Sequence, residues 1–305
     1  MKAALFALSC LMLIACLEIE QPVHAYFCAA ESCTEVFVQQ IRNAKSEVKC
    51  AFYHLNDERL MAAITEKARD VSGRIIIDED YIKDFDASFA RARHSKGLMH
   101  DKFCVIDNQL VLTGSFNPVE GSDLRDANNV ILMNSSGIAR AYEKEFDELW
   151  SGTESAGGFK GRQAYAYFCP EDRCAEKVLT AIGEAKNSIY FMTYSFTDRE
   201  IALALIMQKN LDVRGIIDGQ QASSSVMGWL DFQGIDVIKD TNPGLMHHKV
   251  FIIDNETVIT GSYNPTENGN RYNDENLVLI KDKRVAEAYL NEFERLWSRT
   301  DDNKR

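Results

Sequence analysis

The sequence predicts an α/β fold of two similar modules, each a mixed β-sheet flanked by helices, packed as a pseudo-twofold monomer. Three observations predict it. The two halves of the 305-residue chain align from end to end. Short apolar runs alternate with amphipathic helical stretches in each half, the pattern of strands and their covering helices. Each half also carries the same hairpin, "GLMHDKFCVIDNQLVLTGSFNP" at 97–118 and "GLMHHKVFIIDNETVITGSYNP" at 244–265. Two such modules in one chain form the fused version of a twofold homodimer.

The elements run in the same order twice. "YFCAAESCTEVFVQQIRNAKSEV" matches "YFCPEDRCAEKVLTAIGEAKNSI". In both, a cysteine pair precedes an amphipathic helix, whose Val36, Phe37, Gln40, Ile41 and Ala44 share one stripe in the first half. A strand follows at 48–53 and 189–194, then a helix at 58–69 and 199–209, then the apolar strands "RIIID" and "RGIID". After the hairpin come a strand at 129–133 and 276–280 and a closing helix, "ARAYEKEFDELW" or "AEAYLNEFERLW". The first module therefore spans 26–155 and the second 164–300. The linker, 156–163, overlaps the Gly- and Ser-rich join "SGTESAGGFKG".

Residues 1–25 read as a signal peptide. Lys2 precedes an apolar run from Ala3 to Leu17, which is short for a membrane span, and "VHA" at 23–25 suits cleavage before Tyr26. "LIAC" at 13–16 also resembles a bacterial lipobox, in which Cys16 would carry lipid and tie the protein to a membrane. Either way the protein is expected to be exported: periplasmic, extracellular or lipid-anchored. The net charge of −12 argues against a partner held mainly through many phosphate contacts.

Eight cysteines are present. Cys10 and Cys16 fall in the leader, and Cys50 and Cys104 lie in apolar runs and read as core thiols. Cys28 and Cys33 repeat the spacing of Cys169 and Cys174. In an exported chain two local disulfides are the favoured reading, with a four-cysteine zinc site joining the halves as the alternative.

Side chains alternate faces along a strand, so His100 and Lys102 point one way, as do His247 and Lys249. Asp107 and Asp254 are an odd number of positions away, at the "DN" that closes each hairpin, and read as structural or orienting groups. His248 faces away from His247 and reads as structural. His54, aligned with Ser195, is a candidate to line a cleft, and the basic run "RARHSKG" at 91–97 is a candidate to track an anion.

"HDKFCVID" and "HHKVFIID" both fit H-x-K-x-x-x-x-D, each followed at one spacing by G-S-x-N. In these motifs, and over nearly all of the mature chain, the sequence resembles the phospholipase D superfamily, in particular its compact branch of exported bacterial endonucleases and mitochondrial cardiolipin hydrolases. The resemblance implies one active site built from both halves, a phosphodiester substrate (phospholipid or nucleic acid) and no cofactor or metal. It gives the catalytic roles to His100, Lys102, Asp107, His247, Lys249 and Asp254. One histidine would form a phosphohistidine and the other would protonate the leaving oxygen. The usual assignment in two-module relatives makes His100 the nucleophile and His247 the acid. Imidazoles suit both roles near neutral pH, and the two lysines supply charge for the non-bridging oxygens. Asn117 and Asn264 would add amide donors, and Ser115 and Ser262 would hold the ring or the phosphate.

One position departs from the family pattern. A Glu after the motif commonly orients the histidine of the other module. The second half has it, as Glu275; the first has Asn128 in the matching place. If the side chain crosses the interface, Glu275 supports His100 and His247 lacks a carboxylate, so the two sites should differ. Cleavage of phospholipid is the favoured activity, with an exported nuclease as the alternative and a non-catalytic phosphate-binding protein as the third reading.

Overall fold

The structure, a computed structural model, describes residues 22–82, 88–153 and 157–302. The apolar leader and Cys16 lie outside the described residues. In the first module β1 (His24–Phe27) leads to α1 (Cys33–Asn43), β2 (Glu47–Phe52), α2 (Glu58–Lys67) and β3 (Ser72–Asp78). Then come β4 (Ala90–Arg93), β5 (Lys102–Ile106), β6 (Leu110–Gly114), α3 (Ser122–Arg125), β7 (Asn129–Asn134) and α4 (Ser136–Ser151). The second begins with β8 (Phe159–Lys160) and β9 (Ala164–Cys169), then α5 (Cys174–Glu184), β10 (Ser188–Thr193), α6 (Arg199–Met207) and β11 (Asp212–Ile217). It continues through α7 (Met227–Phe232), β12 (Asp236–Lys239), β13 (Lys249–Ile253) and β14 (Thr257–Gly261), and ends with α8 (Glu267–Arg271), β15 (Glu275–Lys281) and α9 (Lys283–Asp302).

Local chemistry sets these boundaries. Ser32 caps α1 by accepting from Glu35 N–H. Asp57 and Asp198 cap α2 and α6, each accepting from the N–H groups of the second and third residues of its helix. The hairpins turn through Asp107-Asn108 and Asp254-Asn255, all four with positive φ, as a two-residue type I′ turn requires. At the other end of each hairpin sit Gly114 (φ +153°) and Gly261 (φ +135°). A Cβ there would fall 2.2 Å from the carbonyl oxygen of Asn129 or 2.4 Å from that of Asn276.

The strand orders are β1-β7-β6-β5-β2-β3-β4 and β12-β11-β10-β13-β14-β15-β9-β8. Both sheets are mixed: β2, β3 and β4 run parallel, as do β10, β11 and β12, and the other neighbours are antiparallel. Each module has an outer core beneath its first two helices, with Phe37, Ile41 and Leu60 in one and Val178, Ile182 and Leu205 in the other. A third core joins the modules, where Phe103, Val105, Tyr142 and Phe146 meet Met192, Ile252, Tyr289 and Phe293. The exchange is reciprocal: α4 packs on β9 of the second module and α9 on β1 of the first.

Short edge strands escape the sequence reading. β4 lies within the stretch that begins the basic run, and β8 lies in the stretch read as linker. β1 starts at His24, whose pairing partner is Leu132.

Cys28 bonds Cys33 and Cys169 bonds Cys174, the two local disulfides expected in place of a zinc site. Cys50 and Cys104 are not free thiols. They form a third disulfide, because β2 and β5 are adjacent and place the two residues directly opposite, with Cα atoms 4.1 Å apart.

Candidate active site

β5 and β13 start at Lys102 and Lys249. The residues just before them leave their own sheet and pair with the other module through parallel bridges, Met99 with Asp274 and Ala127 with Met246. His100 N–H donates to the Asp274 carbonyl and His247 N–H to that of Ala127, each at 2.8 Å. The aspartates that end "RIIID" and "RGIID" brace these segments: Asp78 accepts from Met99 N–H and Asp218 from Met246 N–H, both at 2.9 Å. Gly97 and Gly244 permit the crossing. A Cβ on Gly97 would lie 2.4 Å from the Asn273 side chain, and one on Gly244 would lie 2.2 Å from the Arg125 carbonyl.

Both histidines therefore open into one cleft of about 580 Å³ between the modules. Tyr53, Tyr194, Asn117 and Asn264 also line it. The Oδ1 atoms of Asn117 and Asn264 are buried without a hydrogen-bond partner, so two amide groups stand ready for a ligand. Behind the histidines lie Lys102 and Lys249, 1% and 3% exposed. Each ammonium donates to the carbonyl of the histidine two residues before it, at 2.6 and 2.8 Å, and lies 5.4 or 5.1 Å from the ring centre of Tyr53 or Tyr194.

Burial dominates the electrostatics. It pushes Lys102 down to about 7, against the pull of Glu275 and Asp101. Lys249 falls well below the ordinary lysine value, from burial and from the charge of Lys102. Both histidines are held well below their ordinary value, by burial first and the two lysines next, so the resting imidazoles are neutral at neutral pH.

The imidazole partners differ, and they cross the interface. His100 Nδ1 lies 3.3 Å from Glu275 Oε1. Glu275 is fully buried, accepts from Asn264 N–H and Asn273 Nδ2 at 2.8 Å each, and is raised by burial to about 7. His247 Nδ1 instead meets Asn128 Oδ1 at 2.9 Å and the Ser115 carbonyl at 3.0 Å.

Other sequence-derived candidates fall elsewhere. The Asp107 and Asp254 carboxylates sit at the hairpin tips, bound to the N–H groups of Lys45, Ser46 and Glu47 or of Lys186, Asn187 and Ser188. They do not line the cleft, and they tie each hairpin to the loop after its module's first helix. Asp107→Ala should therefore cost about 1–2 kcal/mol in denaturant unfolding and leave substrate turnover within about threefold. A hundredfold loss of turnover in folded protein would return Asp107 to the chemistry. The Ser115 hydroxyl accepts from Asn129 N–H and donates to Asn128, and the Ser262 hydroxyl accepts from Asn276 N–H. These serines hold the next strand, and it is the Ser115 carbonyl that touches a ring. His54 stacks on Tyr81 with centroids 3.9 Å apart. In the basic run, Arg91 donates to the Trp150 carbonyl, Arg93 and Ser95 both bind Asp274, and His94 pairs with Glu79.

The family described as "Cardiolipin synthase, PLD-like domain" matches the chain twice, over residues 37–150 and 178–297. The chain belongs to the phospholipase D superfamily. Among curated relatives it is 38% identical over 127 residues to "Phospholipase D" of Rickettsia prowazekii, covering 40% of this chain and 62% of that one. It is 33% identical over 140 residues to "Mitochondrial cardiolipin hydrolase" of Xenopus tropicalis, covering 44% and 67%. The match thus spans less than two thirds of the Rickettsia relative. Among solved structures, phosphatidylserine synthase of Haemophilus influenzae aligns over 91% of this chain and 86% of its own, with a TM-score of 0.68 at 11% identity, a likeness of fold.

Three features of this phospholipase D-type site were missed in the sequence. Tyr53 and Tyr194 wall the cleft; the signal was a tyrosine just past the same strand in both halves. Asn129 and Asn276 reach across the interface. Asn129 donates to Thr260 and Tyr289 and meets His248 Nδ1 at 3.0 Å, and Asn276 donates to Asp101 at 2.6 Å and accepts from Thr113 and Tyr142. Their signal was the residue following Asn128 and Glu275, repeated unchanged. His248, fully buried, also meets Glu292 at 3.3 Å, which makes it an interface group.

Proposed function

We propose that the protein is a metal-independent phosphodiesterase of phospholipase D type, which cleaves phospholipid through a phosphohistidine intermediate. The observation that carries this reading is the pair of imidazoles facing one cleft from two modules, each backed by a buried lysine. A neutral imidazole attacks phosphorus, the other protonates the leaving oxygen, and the lysines with Asn117 and Asn264 stabilise the charge on the non-bridging oxygens. The relatives named phospholipase D and cardiolipin hydrolase support the same reaction class.

The cleft favours a lipid over a polynucleotide. Among the described residues lining it, no lysine or arginine appears, and the rim carries the acidic Glu267. A polyanion needs cations on both sides of the scissile phosphate, whereas a single headgroup does not. Arg91 and Arg93, which could have supplied them, are engaged elsewhere. The three disulfides among the described residues fit the oxidising compartment of an exported protein. No helix of the described residues is long and apolar enough to cross a membrane.

The test presents purified protein in EDTA with phosphatidylcholine, cardiolipin, and single- and double-stranded DNA, side by side. Headgroup release in chelator is expected. Nucleotide release without lipid cleavage would replace this reading with the nuclease. Activity that disappears in EDTA and returns with a divalent metal would remove the mechanism, and binding without turnover would favour a phosphate-binding protein.

A further inference from the structure

Resting on the phospholipid reading above, we propose that the surface around the cleft mouth docks on a zwitterionic phospholipid bilayer. Leu124, Trp229, Phe232 and Tyr272 enter the membrane interface. The groove beyond Thr197 takes the glycerol and ester region of the lipid being cleaved.

Six large apolar side chains are exposed among the described residues, and four of them sit on elements that border the cleft. That placement points to a partner that carries the substrate. Leu124 lies on α3, 77% exposed, and Tyr272 directly follows α8. These elements succeed the two G-S-x-N turns, and each abuts the segment that leads to the histidine of the other module. Asp126, next to α3, accepts from Leu245 N–H at 3.0 Å, and the Tyr272 carbonyl accepts from Gly97 N–H at 2.9 Å. Leu245, and Leu98 beside Gly97, line the cleft. An exposed apolar side chain therefore stands beside each histidine-bearing segment.

The third element is α7. Val226 N–H donates to the Phe196 carbonyl at 2.9 Å, which ties the start of this helix to the cleft-lining segment of Ser195 and Thr197. Trp229 and Phe232 are three residues apart and share one face of α7, Phe232 being 83% exposed. Leu230, fully buried, anchors the helix in the outer core of its module. Thr197 is also the edge of a second groove of about 440 Å³, which Arg199 and Trp229 line. Lipid ester carbonyls only accept hydrogen bonds, and the Arg199 guanidinium and Thr197 hydroxyl are donors. The first methylenes of an acyl chain pack on the indole.

Trp and Tyr suit the depth of lipid headgroups, where one end of the side chain is wet and the other apolar. Charge selects the lipid. The chain carries −12, Glu267 stands at the rim, and Arg125 and Arg271, beside Leu124 and Tyr272, pair with Asp126 and Glu267. An anionic bilayer is therefore repelled, and apolar insertion into a zwitterionic one supplies the binding.

The experiment uses the full mature chain and two forms of one substrate, vesicles of long-chain phosphatidylcholine and dibutyryl phosphatidylcholine dissolved as monomers. Phe232→Asp and Leu124→Asp should each raise the vesicle concentration for half-maximal choline release by about tenfold, the worth of one large apolar group buried. Both should leave turnover of the monomer within about twofold, and Phe232→Leu should keep vesicle turnover. Should either aspartate variant fold poorly, wild type carries the test. Phosphatidylcholine brominated on its acyl chains should quench tryptophan emission, and Trp229→Phe should remove that quenching, because Trp150 and Trp297 pack against the core between the modules. Unchanged vesicle kinetics in the folded variants, or no quenching by brominated lipid, overturns the docking surface and leaves the phospholipase reading in place. Tighter binding to phosphatidylglycerol than to phosphatidylcholine vesicles overturns the choice of a zwitterionic bilayer. Nucleotide release from DNA, with no choline from either form of the lipid, removes the phospholipid reading and the docking surface with it.

Discussion

With phosphatidylcholine vesicles as substrate, His100→Ala and His247→Ala should each lower kcat by about 10⁴-fold or more. An alkoxide is a poor leaving group, so the first step needs attack and protonation together. Loss of either ring stops it, and the double variant should be no slower than the worse single one. Choline release is the measurement. A folded variant that retains about a tenth of wild-type turnover would take that histidine out of the reaction.

Lys102→Met and Lys249→Met should each cost about 10²–10³-fold in kcat/KM, as loss of one preorganised charge does at an anionic transition state. The same variants should be more stable than wild type at neutral pH, because burial depresses both lysines. Two ammonium groups are buried side by side in the resting protein, and a methionine of similar shape removes the strain of desolvation and like charge. The sign of the pH dependence follows. Lys102 is depressed from 10.5 to about 7 in the fold, so between those values the unfolded chain binds more protons and stability rises with pH. Below about pH 7 the penalty is present in full. Lys102→Met should flatten that rise in denaturant midpoints taken from pH 7 to 10. A variant that loses both stability and activity would mean that Lys102 serves the fold.

Much of this was legible in the sequence because the chain states it twice. The repeat exposed the modules, and strand alternation selected His100, Lys102, His247 and Lys249 and set Asp107 apart. The crossing of Glu275 to His100 followed from one aligned position, Asn128. What stayed hidden depended on which strands are neighbours. Cys50 and Cys104 are 54 positions apart, and nothing local says that β2 lies beside β5 with those residues in register. Asn129 and Asn276 look like ordinary strand residues until the two sheets face each other. β4 and β8 are too short for periodicity to separate them from loop. Sequence does not say whether a serine turns its hydroxyl or its carbonyl toward a ring, and Ser115 turns its carbonyl.

The crossed contacts of Glu275 and Asn128 carry an evolutionary consequence. In a dimer of identical subunits, one codon writes both orienting positions, and any change at it strikes both histidines at once. A dimer of the first module would offer two amide-backed rings and no carboxylate; a dimer of the second would offer two carboxylate-backed rings. Fusion of the two copies into one gene releases that constraint. Each ring can then be tuned by mutating the opposite half, and a division of labour that symmetry forbids becomes heritable.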